Sequence, residues 1–212
     1  MSTQLILIRH GQTVWNSEHR MQGQRNSALS DLGRAQARAV ARRLQRESFD
    51  YLYSSDLDRA VETARIIAAA TGHALRIDAR LRERCFGIFE GLTRDEMKVR
   101  HPAEYARFRE RDPDYCMPGG ESARAFHERC MGVMHEIVAA HAGRRVVVVA
   151  HGLLLVALYR AAHALELNEP KTPLELINAS LNVFGYAEKR WSMLAWADQA
   201  HLSNITDFQE GA

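Results

Sequence analysis

Leu5-Ile6-Leu7-Ile8, followed directly by Arg9-His10-Gly11, gives the start of the 212-residue chain a short apolar run that ends in a polar loop. Such a run is typical of a buried β-strand. Val146–Ala150 is a second run of this kind, and it also ends in a histidine and a glycine, His151-Gly152. We therefore predict two buried strands whose ends both carry a His-Gly pair.

Helix and strand patterns alternate through the rest of the chain. Ser30 is a candidate N-cap for the first long helix, and Gly72 stands where a C-terminal glycine cap is expected. Predicted helices cover residues 31–46, 57–70, 122–141 and 153–165, and further predicted strands cover residues 49–53, 75–77, 181–186 and 192–197. Strands that alternate with helices indicate an α/β fold with helical layers on both faces of one sheet.

A polar helical segment interrupts this alternation. Residues 93–111 have helical patterning broken at Pro102, and a loop with two prolines follows over residues 112–120. We interpret residues 93–120 as a small helical lid inserted into a single domain that covers residues 1–212. The residues past Asn204 are expected to form a loose tail.

Composition narrows the class of protein. The formal net charge is +2, which gives no electrostatic case for nucleic-acid binding. Three cysteines without metal-type spacing argue against a disulfide framework or a zinc site and favour a reducing compartment. The first apolar run is too short for a signal peptide or a membrane span, so we expect a cytoplasmic protein with no membrane partner. Lysine occurs only three times among the 28 basic residues. Arginine suits an anionic ligand, although a GC-rich genome explains most of this bias equally well.

The two His-Gly pairs are the first candidates for chemistry. In open α/β sheets, ligands bind outside the carboxyl ends of the strands, so the fold is expected to bring His10 and His151 to one crevice. A lone histidine is more often structural, but two at matching strand ends favour a functional interpretation. Gly11 and Gly152 let the backbone approach a ligand closely. Helices that begin after these loops would add N–H donors and a positive dipole end.

Two arginines belong to the same hypothesis. Arg9 precedes His10, and Arg59 lies at the start of a predicted helix, just after another strand end. Two guanidinium and two imidazole groups around one pocket suit a dianionic tetrahedral group. Taken alone, the position of Arg59 favours a salt-bridged arginine at an exposed helix start.

No motif of the usual metal-dependent phosphatases occurs in the sequence. The nucleophile is then a side chain, and a neutral imidazole can attack phosphorus to give a phosphohistidine. The leaving alkoxide needs a general acid. Glu83 is the candidate, because a bound phosphate raises the pKa of a nearby carboxyl group. The alternative, that Glu83 pairs with Arg82 or Arg84, stays open.

Residues 7–16, Leu-Ile-Arg-His-Gly-Gln-Thr-Val-Trp-Asn, resemble the signature of the histidine phosphatase superfamily, in its phosphoglycerate-mutase-like branch. The ordered match continues through residues 54–60, 118–122 and 149–152 and ends at 198–202, so it covers nearly the whole chain. Position 12 is Gln where the family often has Glu, and no second glycine follows Gly152. Neither departure involves the proposed catalytic residues.

The resemblance implies a three-layer α/β/α sandwich with a mixed, mostly parallel sheet, and neither a metal nor an organic cofactor. It implies that His10 is phosphorylated and that Glu83 first protonates the leaving group and then activates water. It also assigns residues to phosphoryl binding (Arg9, Arg59, His151) and to secondary substrate contacts (Asn16, Gln22 and the backbone N–H of Gly152).

The resemblance leaves the reaction and the substrate open. Mutases of the family carry a longer insertion after the acid, whereas only residues 84–119 separate Glu83 from Gly120 here, so phosphomonoesterase is the first hypothesis. The alternatives are a cofactor-dependent phosphoglycerate mutase and a catalytically silent phospho-ligand-binding protein. The partner implied is a small phosphorylated metabolite: a sugar or acid, α-ribazole phosphate, or a broad set of monoesters. A homodimer through a sheet edge or a helix pair also stays open.

The lid residues carry two further open alternatives. Its arginines either reach an anionic substrate or form a solvated helix face (Arg94, Arg100, Arg107, Arg109 and Arg111). Its aromatic residues form either an apolar wall of the pocket or the core of the lid itself (Phe86, Phe89, Tyr105, Phe108 and Tyr115).

Overall fold

A computed structural model describes residues 2–169, 174–203 and 205. Its strands form one six-stranded sheet in the order β3-β2-β4-β1-β5-β6. The strands are β1 (Thr3–Arg9), β2 (Tyr51–Ser54), β3 (Leu75–Ile77), β4 (Arg145–Ala150), β5 (Leu181–Ala187) and β6 (Arg190–Asp198). The pairs β1/β4, β2/β4 and β2/β3 are parallel, and β1/β5 and β5/β6 are antiparallel. The prediction of a mixed, mostly parallel sheet is confirmed.

The register of the two central strands positions the two histidines. Arg9 of β1 lies beside Ala150 of β4, and the His10 N–H donates to the carbonyl oxygen of Ala150 at 3.0 Å. Both strands therefore end at the same level of the sheet. The side chains of His10 and His151 leave the sheet edge next to each other.

Helices cover both faces of the sheet. They are α1 (Val14–Ser17), α2 (Asp31–Leu44), α3 (Asp58–Thr71), α4 (Arg94–Arg100), α5 (Pro102–Glu110), α6 (Ala123–Ala140) and α7 (Gly152–Ala162). Because successive strand residues point to opposite faces, the continuous apolar runs supply two cores. Ile6 and Ile8 pack with α2 and α3, whereas Leu5 and Leu7 pack with α6 and α7. This is the expected three-layer arrangement.

The two predicted helix caps are present, but two of the predicted helix ends are wrong. The Ser30 hydroxyl accepts from the Gly33 N–H at 3.0 Å, and Gly72 ends α3 in a left-handed conformation. The predicted ends at Arg46 and Leu165 are wrong, since α2 ends at Leu44 and α7 at Ala162. No glycine or proline marks either end in the sequence, and the backbone of Ala164 turns left-handed, with φ of 54°.

Residues 84–121 pack around a small core of their own. Thr93 and Glu96 form a capping box at the start of α4, and Pro102 is the first residue of α5. Most of the aromatic side chains predicted as wall or core belong to this core, where Phe86, Phe89 and Tyr115 are buried. The five arginines of residues 93–120 are exposed, which supports the solvated face.

Two further predictions concern the chain as a whole. No helix of the described residues is long and apolar enough to cross a membrane. Of the residues predicted as a loose tail, Ile205 packs into the core beside α2 and α3, which corrects the prediction at that position. Asn204 and residues 206–212 lie outside the described part of the chain.

Candidate active site

His10 and His151 form the centre of the site. Their ring centroids lie 5.3 Å apart with the planes tilted by 57°. Only 3% of His10 and none of His151 is exposed. The structure therefore brings together the two imidazoles that the strand ends predicted, inside a largely desolvated pocket.

The hydrogen bonds of His10 fix which nitrogen can react. Nδ1 lies 2.8 Å from the carbonyl oxygen of Gly11, so Nδ1 must carry the proton and donate it to this acceptor. The Arg59 Nε–H donates to Nε2 at 3.2 Å, so Nε2 is the unprotonated nitrogen and its lone pair accepts this hydrogen bond. A nucleophilic imidazole needs this tautomer, with Nε2 facing a cation that also binds anions.

Burial and positive neighbours keep both histidines neutral. Burial, followed by the charges of Arg59 and Arg9, lowers the pKa of His10 well below its usual value. The pKa of His151 is also lowered well below its usual value, by burial and then by Arg59 and His10. His10 therefore keeps its nucleophilic lone pair at neutral pH.

Arg59 is a buried pocket residue, not a surface ion pair. It is 1% exposed, and its guanidinium donates to the carbonyl oxygens of Gly23 at 2.7 Å and Arg25 at 2.9 Å as well as to His10. Burial lowers its pKa to about 10, so it stays charged at neutral pH. The interpretation of Arg59 as a salt-bridged helix start is wrong.

Three nitrogens of the site are buried without a hydrogen-bond partner in the described residues. They are Arg9 Nε and both ring nitrogens of His151. The Arg9 guanidinium is anchored through Nη1, which donates to the carbonyl oxygen of Leu176. Unsatisfied buried donors beside two arginines favour an incoming polyvalent anion, because the anion would satisfy them.

The Glu83 side chain is half-buried, and backbone donors hold its carboxyl group. Oε1 accepts from the Arg84 N–H at 2.9 Å and Oε2 from the Leu153 N–H at 3.2 Å. Its side chain pairs with neither neighbouring arginine, since Arg82 pairs with Asp56 and Arg84 donates to the carbonyl oxygen of Glu121.

The pKa of the Glu83 carboxyl group is raised without any ligand. Burial is the main cause, and it outweighs the backbone hydrogen bonds and the charges of Arg59 and Arg9, which lower this pKa. The predicted repulsion by a bound phosphate would raise it further and stays a prediction. The pocket therefore shifts the equilibrium of Glu83 toward the protonated acid before any substrate arrives.

Gly152 lies between the acid and the cations. A Cβ atom at this position would lie 3.8 Å from Arg9 Nε and 4.0 Å from Glu83 Oε2. The chain thus gathers Arg9, Glu83 and Gly152 on one side of the pocket. The backbone N–H of Leu153, which the sequence did not single out, is the one that contacts Glu83.

Asn16 and Gln22 occupy the rim in different ways. Asn16 Oδ1 closes the capping box of α1 on Thr13, and Asn178 Nδ2 lies 3.4 Å from this oxygen and donates to the His10 carbonyl oxygen at 2.8 Å. Gln22 is buried, and its Oε1 has no partner among the described residues. Its neighbour Gly23 is an Arg59 acceptor.

Sequence reasoning missed several residues that hold the site in place. Thr63 Oγ1 accepts from the Gly11 N–H at 3.1 Å and donates to the Arg59 carbonyl oxygen at 2.8 Å. Asn178, which precedes β5, holds the His10 loop by donating to the His10 carbonyl oxygen at 2.8 Å. Arg129 and Glu121 form an ion pair at 2.8 Å behind Glu83. A polar residue in a helical apolar face, as at Thr63 beside Ala60 and Ala64, was the one local signal available.

The geometry defines a chemistry. A phosphoryl group placed against His10 Nε2 would meet two guanidiniums and a second imidazole, with a carboxylic acid nearby to protonate a leaving oxygen. In the described part of the chain, no group of three or more His, Cys, Asp or Glu side chains is arranged to hold a metal ion.

Comparison with known proteins adds an independent finding. The sequence model of the histidine phosphatase superfamily (branch 1) matches residues 5–199. Phosphoglycerate mutase-like protein 4 of Arabidopsis thaliana is 38% identical over 98% of this chain and 90% of that protein. Metal-independent phosphoserine phosphatase of Arabidopsis thaliana is 37% identical over 99% of this chain and 87% of that protein. The solved structure of Bacillus stearothermophilus YhfR superposes with a TM-score of 0.88 at 31% identity, covering 95% of this chain and 100% of that one.

Proposed function

The chain belongs to branch 1 of the histidine phosphatase superfamily, and we propose that it hydrolyses small phosphorylated carboxylic acids with His10 as nucleophile and Glu83 as general acid. The enzyme is a phosphoric monoester hydrolase that works through a phosphohistidine. The roles of its individual residues and its substrate class form the proposal.

The first half-reaction transfers the phosphoryl group to the enzyme. Arg9, Arg59 and His151 bind the dianionic group and place phosphorus in line with His10 Nε2. Nε2 donates its lone pair to phosphorus as the bond from phosphorus to the ester oxygen breaks. The Glu83 carboxyl group gives its proton to that oxygen, so the product leaves as a neutral alcohol.

The second half-reaction returns the enzyme to its starting state. The Glu83 carboxylate takes a proton from a water molecule, whose oxygen attacks phosphorus and breaks the bond to Nε2. Phosphate leaves, His10 is again neutral, and Glu83 again carries a proton. The backbone donors from Arg84 and Leu153 hold both carboxyl oxygens through the cycle.

The substrate proposal rests on the names of the relatives. Phosphoserine and phosphoglycerate, which these names contain, are both three-carbon acids that carry a phosphate ester. The side-chain NH2 groups of Gln22 and Asn16 are candidates to donate to the acid end, together with the Gly152 N–H. We expect this small metabolite to be the partner, and not nucleic acid or a membrane. We also expect the enzyme to be cytoplasmic, and a homodimer is an open alternative to a monomer.

One observation carries the assignment of the nucleophile. His10 donates through Nδ1 to Gly11 and presents Nε2 to Arg59 in a pocket that keeps the ring neutral. The unprotonated nitrogen therefore lies beside the guanidinium that would bind the phosphoryl group, which is where a nucleophile must be.

The test is phosphate release from a panel of monoesters, including phosphoserine and 3-phosphoglycerate, with EDTA present. The wild type is compared with His10→Ala and with His163→Ala, a control at an exposed histidine outside the site. We expect release by the wild type and the control and loss of at least about 10³-fold in His10→Ala, as for other covalent nucleophiles. Release by His10→Ala near the wild-type rate would refute the role of His10.

Phosphoglycerate mutase is the second candidate, because one relative carries a mutase-like name. The same preparations can be tested for interconversion of 2- and 3-phosphoglycerate. Interconversion faster than phosphate release would reverse the order of the two candidates. Ligand binding without either reaction would instead indicate a silent binding protein.

A further inference from the structure

A second cavity, of about 490 Å³, lies on the outer face of α2. Ala200, His201 and Ile205 form its other wall, and Ala35, Ala39 and Ile205 supply apolar lining. None of the eight proposed site residues lines it. Its volume falls within the range of small-molecule sites, which runs from roughly 300 to 1,000 Å³.

Arginines dominate the polar lining of this cavity. Arg38, Arg42 and Arg46 follow one another at four-residue spacing and all three are exposed. Arg38 and Arg42 lie on the same face of α2, where like charges repel, and Arg46 lies in the turn just past the helix end. None of the three side chains has a hydrogen bond or an ion pair within the described residues. Among those residues, the positive charges of the row are therefore uncompensated.

The carboxylates near the cavity are engaged elsewhere. Arg43, the fourth arginine of the lining, pairs with Glu47 at 2.6 Å and lies 3.6 Å from Asp198. Glu47 is also bound by Arg145 at 2.6 Å. These two acids are thus matched by Arg43 and Arg145, and the charges of the arginine row stay free for a ligand.

His201 adds a polar group to the opposite wall. Its ring lines the cavity, and Nε2 lies 2.9 Å from the Ala179 carbonyl oxygen, so Nε2 carries the proton. Nδ1 is buried without a partner in the described chain. The wall facing the arginines thus holds an unsatisfied acceptor that a ligand hydroxyl could meet.

We propose that this cavity binds a polyphosphate chain, either free or at the end of a nucleotide. Arg38 and Arg42 are about 6 Å apart along α2, and Arg46 continues the row in the turn beyond the helix end at Leu44. An extended chain of phosphates matches such a row, because each guanidinium can bind a separate phosphate group. A single phosphate would reach only one or two of the three.

The test is calorimetric titration of the full chain at about 0.15 M salt with inorganic tripolyphosphate and, separately, with ATP. The cavity variant is R38Q/R42Q/R46Q. The control is R94Q/R100Q/R109Q, which removes the same charge from three exposed arginines of α4 and α5. We expect the cavity variant to bind tripolyphosphate at least about tenfold more weakly than the control.

Inhibition of phosphate release by tripolyphosphate reports binding at the catalytic pocket. We expect it to be equal in the two variants, so that the loss is assigned to the cavity. Similar binding by ATP and tripolyphosphate indicates phosphate recognition alone, and tighter binding of ATP adds a nucleoside contact. Equal affinity in the cavity variant and the control would overturn the proposal. Arg42→Gln alone serves if the triple variant does not fold, with the same comparison against Arg100→Gln.

Discussion

Burial of the Glu83 carboxyl group helps it to keep the proton that the reaction needs. Since burial raises the pKa of this carboxyl group, the acid is protonated to a higher pH than an exposed glutamate would be. Two backbone donors hold the group in place without neutralising it. This combination allows one residue to act as acid in the first step and as base in the second.

Replacing Glu83 with Gln tests that role through the leaving group. We expect Glu83→Gln to slow an alkyl phosphate such as phosphoserine by about 10²-fold or more, the usual range for a general acid. An aryl phosphate, whose leaving group needs little protonation, should slow much less. The alkaline decline of kcat/KM for the alkyl ester, which arises as Glu83 loses its proton, should also disappear.

The exposed Glu110 provides the control for this experiment. Glu110→Gln removes the same charge from α5 and should leave both substrates unaffected. Equal losses on the alkyl and aryl esters in Glu83→Gln would remove Glu83 from the acid role and leave it a structural one.

The residues of the site were predictable to different degrees. The two histidines follow from the strand ends, because parallel neighbouring strands must finish at one edge of the sheet. Arg59 does not follow in the same way, since its burial depends on the loop of residues 22–25 folding over it. Glu83 was a candidate for the acid before the family resemblance, which added its second role as a base. Asn178 and Thr63 act on the backbone of the His10 loop, and residue type signals only Thr63, as a polar residue in an apolar helix face.

At the scale of elements, α6 fixes the acid from behind. Arg129 donates to the carbonyl oxygens of Arg80 at 2.7 Å and Arg82 at 3.0 Å, and approaches that of Glu83 at 3.4 Å. Glu121 holds the same guanidinium through both of its oxygens. The segment of residues 80–83 is thereby tied to α6 just before the Glu83 carboxyl group.

Arg129→Gln should disturb the position of Glu83 without removing it. We expect kcat for the alkyl ester to fall by about tenfold, because small displacements of a catalytic group are costly, with a smaller effect on the aryl ester. Arg124→Gln is the matched control, since Arg124 lies on the same helix and pairs with the exposed Asp114. If Arg129→Gln slowed both esters equally, its contacts would be structural only.

The start of α2 lies against the nucleophile loop. A Cβ atom on Gly33 would lie 1.9 Å from the Gln12 carbonyl oxygen, and one on Gly11 would lie 2.4 Å from the Gly33 carbonyl oxygen. Only glycines allow this approach. The helix N-terminus can therefore stand directly behind the loop that carries His10.

Gly33→Ala should push that loop away from α2. We expect a loss of about 1–3 kcal/mol in the free energy of unfolding, as for other overpacked sites, and a fall in phosphate release. Gly132→Ala in α6 is the control, because a Cβ atom there meets nothing within 4 Å. That change should stabilise the protein by up to about 1 kcal/mol through helix propensity. Urea unfolding of both variants measures the difference, and a Gly33→Ala protein as stable and active as the wild type would contradict the close packing.

The elements themselves were largely predictable, and their ends less so. Apolar runs and caps place the strands and the helix starts, because each depends on a few adjacent residues. The ends of α2 and α7 depend on tertiary packing, so periodicity overran them by two and three residues, at Arg46 against Leu44 and at Leu165 against Ala162. The four-residue α1 is too short to show a period, and a Thr13–Asn16 capping box alone defines it.

For the molecule as a whole, burying the polar residues of the site lowers the stability of the folded protein. Arg59, His10 and His151 are all almost fully buried, and among the described residues Arg9 Nε and both ring nitrogens of His151 have no hydrogen-bond partner. Removing such groups from water opposes folding. The two apolar cores on either side of the sheet must therefore offset the free-energy cost of burying these polar groups.

This cost makes the stability of the protein depend on pH. The pKa values of His10 and His151 are lowered well below 6.5 in the folded chain. Below about pH 6.5 the unfolded chain therefore binds protons that the folded chain refuses, and the free energy of unfolding must fall as the pH falls. Glu83 acts in the opposite sense, since its raised pKa lets the folded chain keep a proton above pH 4.5 that the unfolded chain loses.

Urea unfolding between pH 5 and 8 separates these contributions. We expect the free energy of unfolding of the wild type to decline from about pH 6.5 downward. His151→Asn removes one of the two refused protons and should show a shallower decline, whereas the exposed His163→Asn should follow the wild type. The groups that both chains share, Glu83 included, cancel in this comparison. A decline as steep in His151→Asn as in the wild type would mean that His151 takes up its proton in the folded protein, and that the pocket carries a positive charge there even before phosphate arrives.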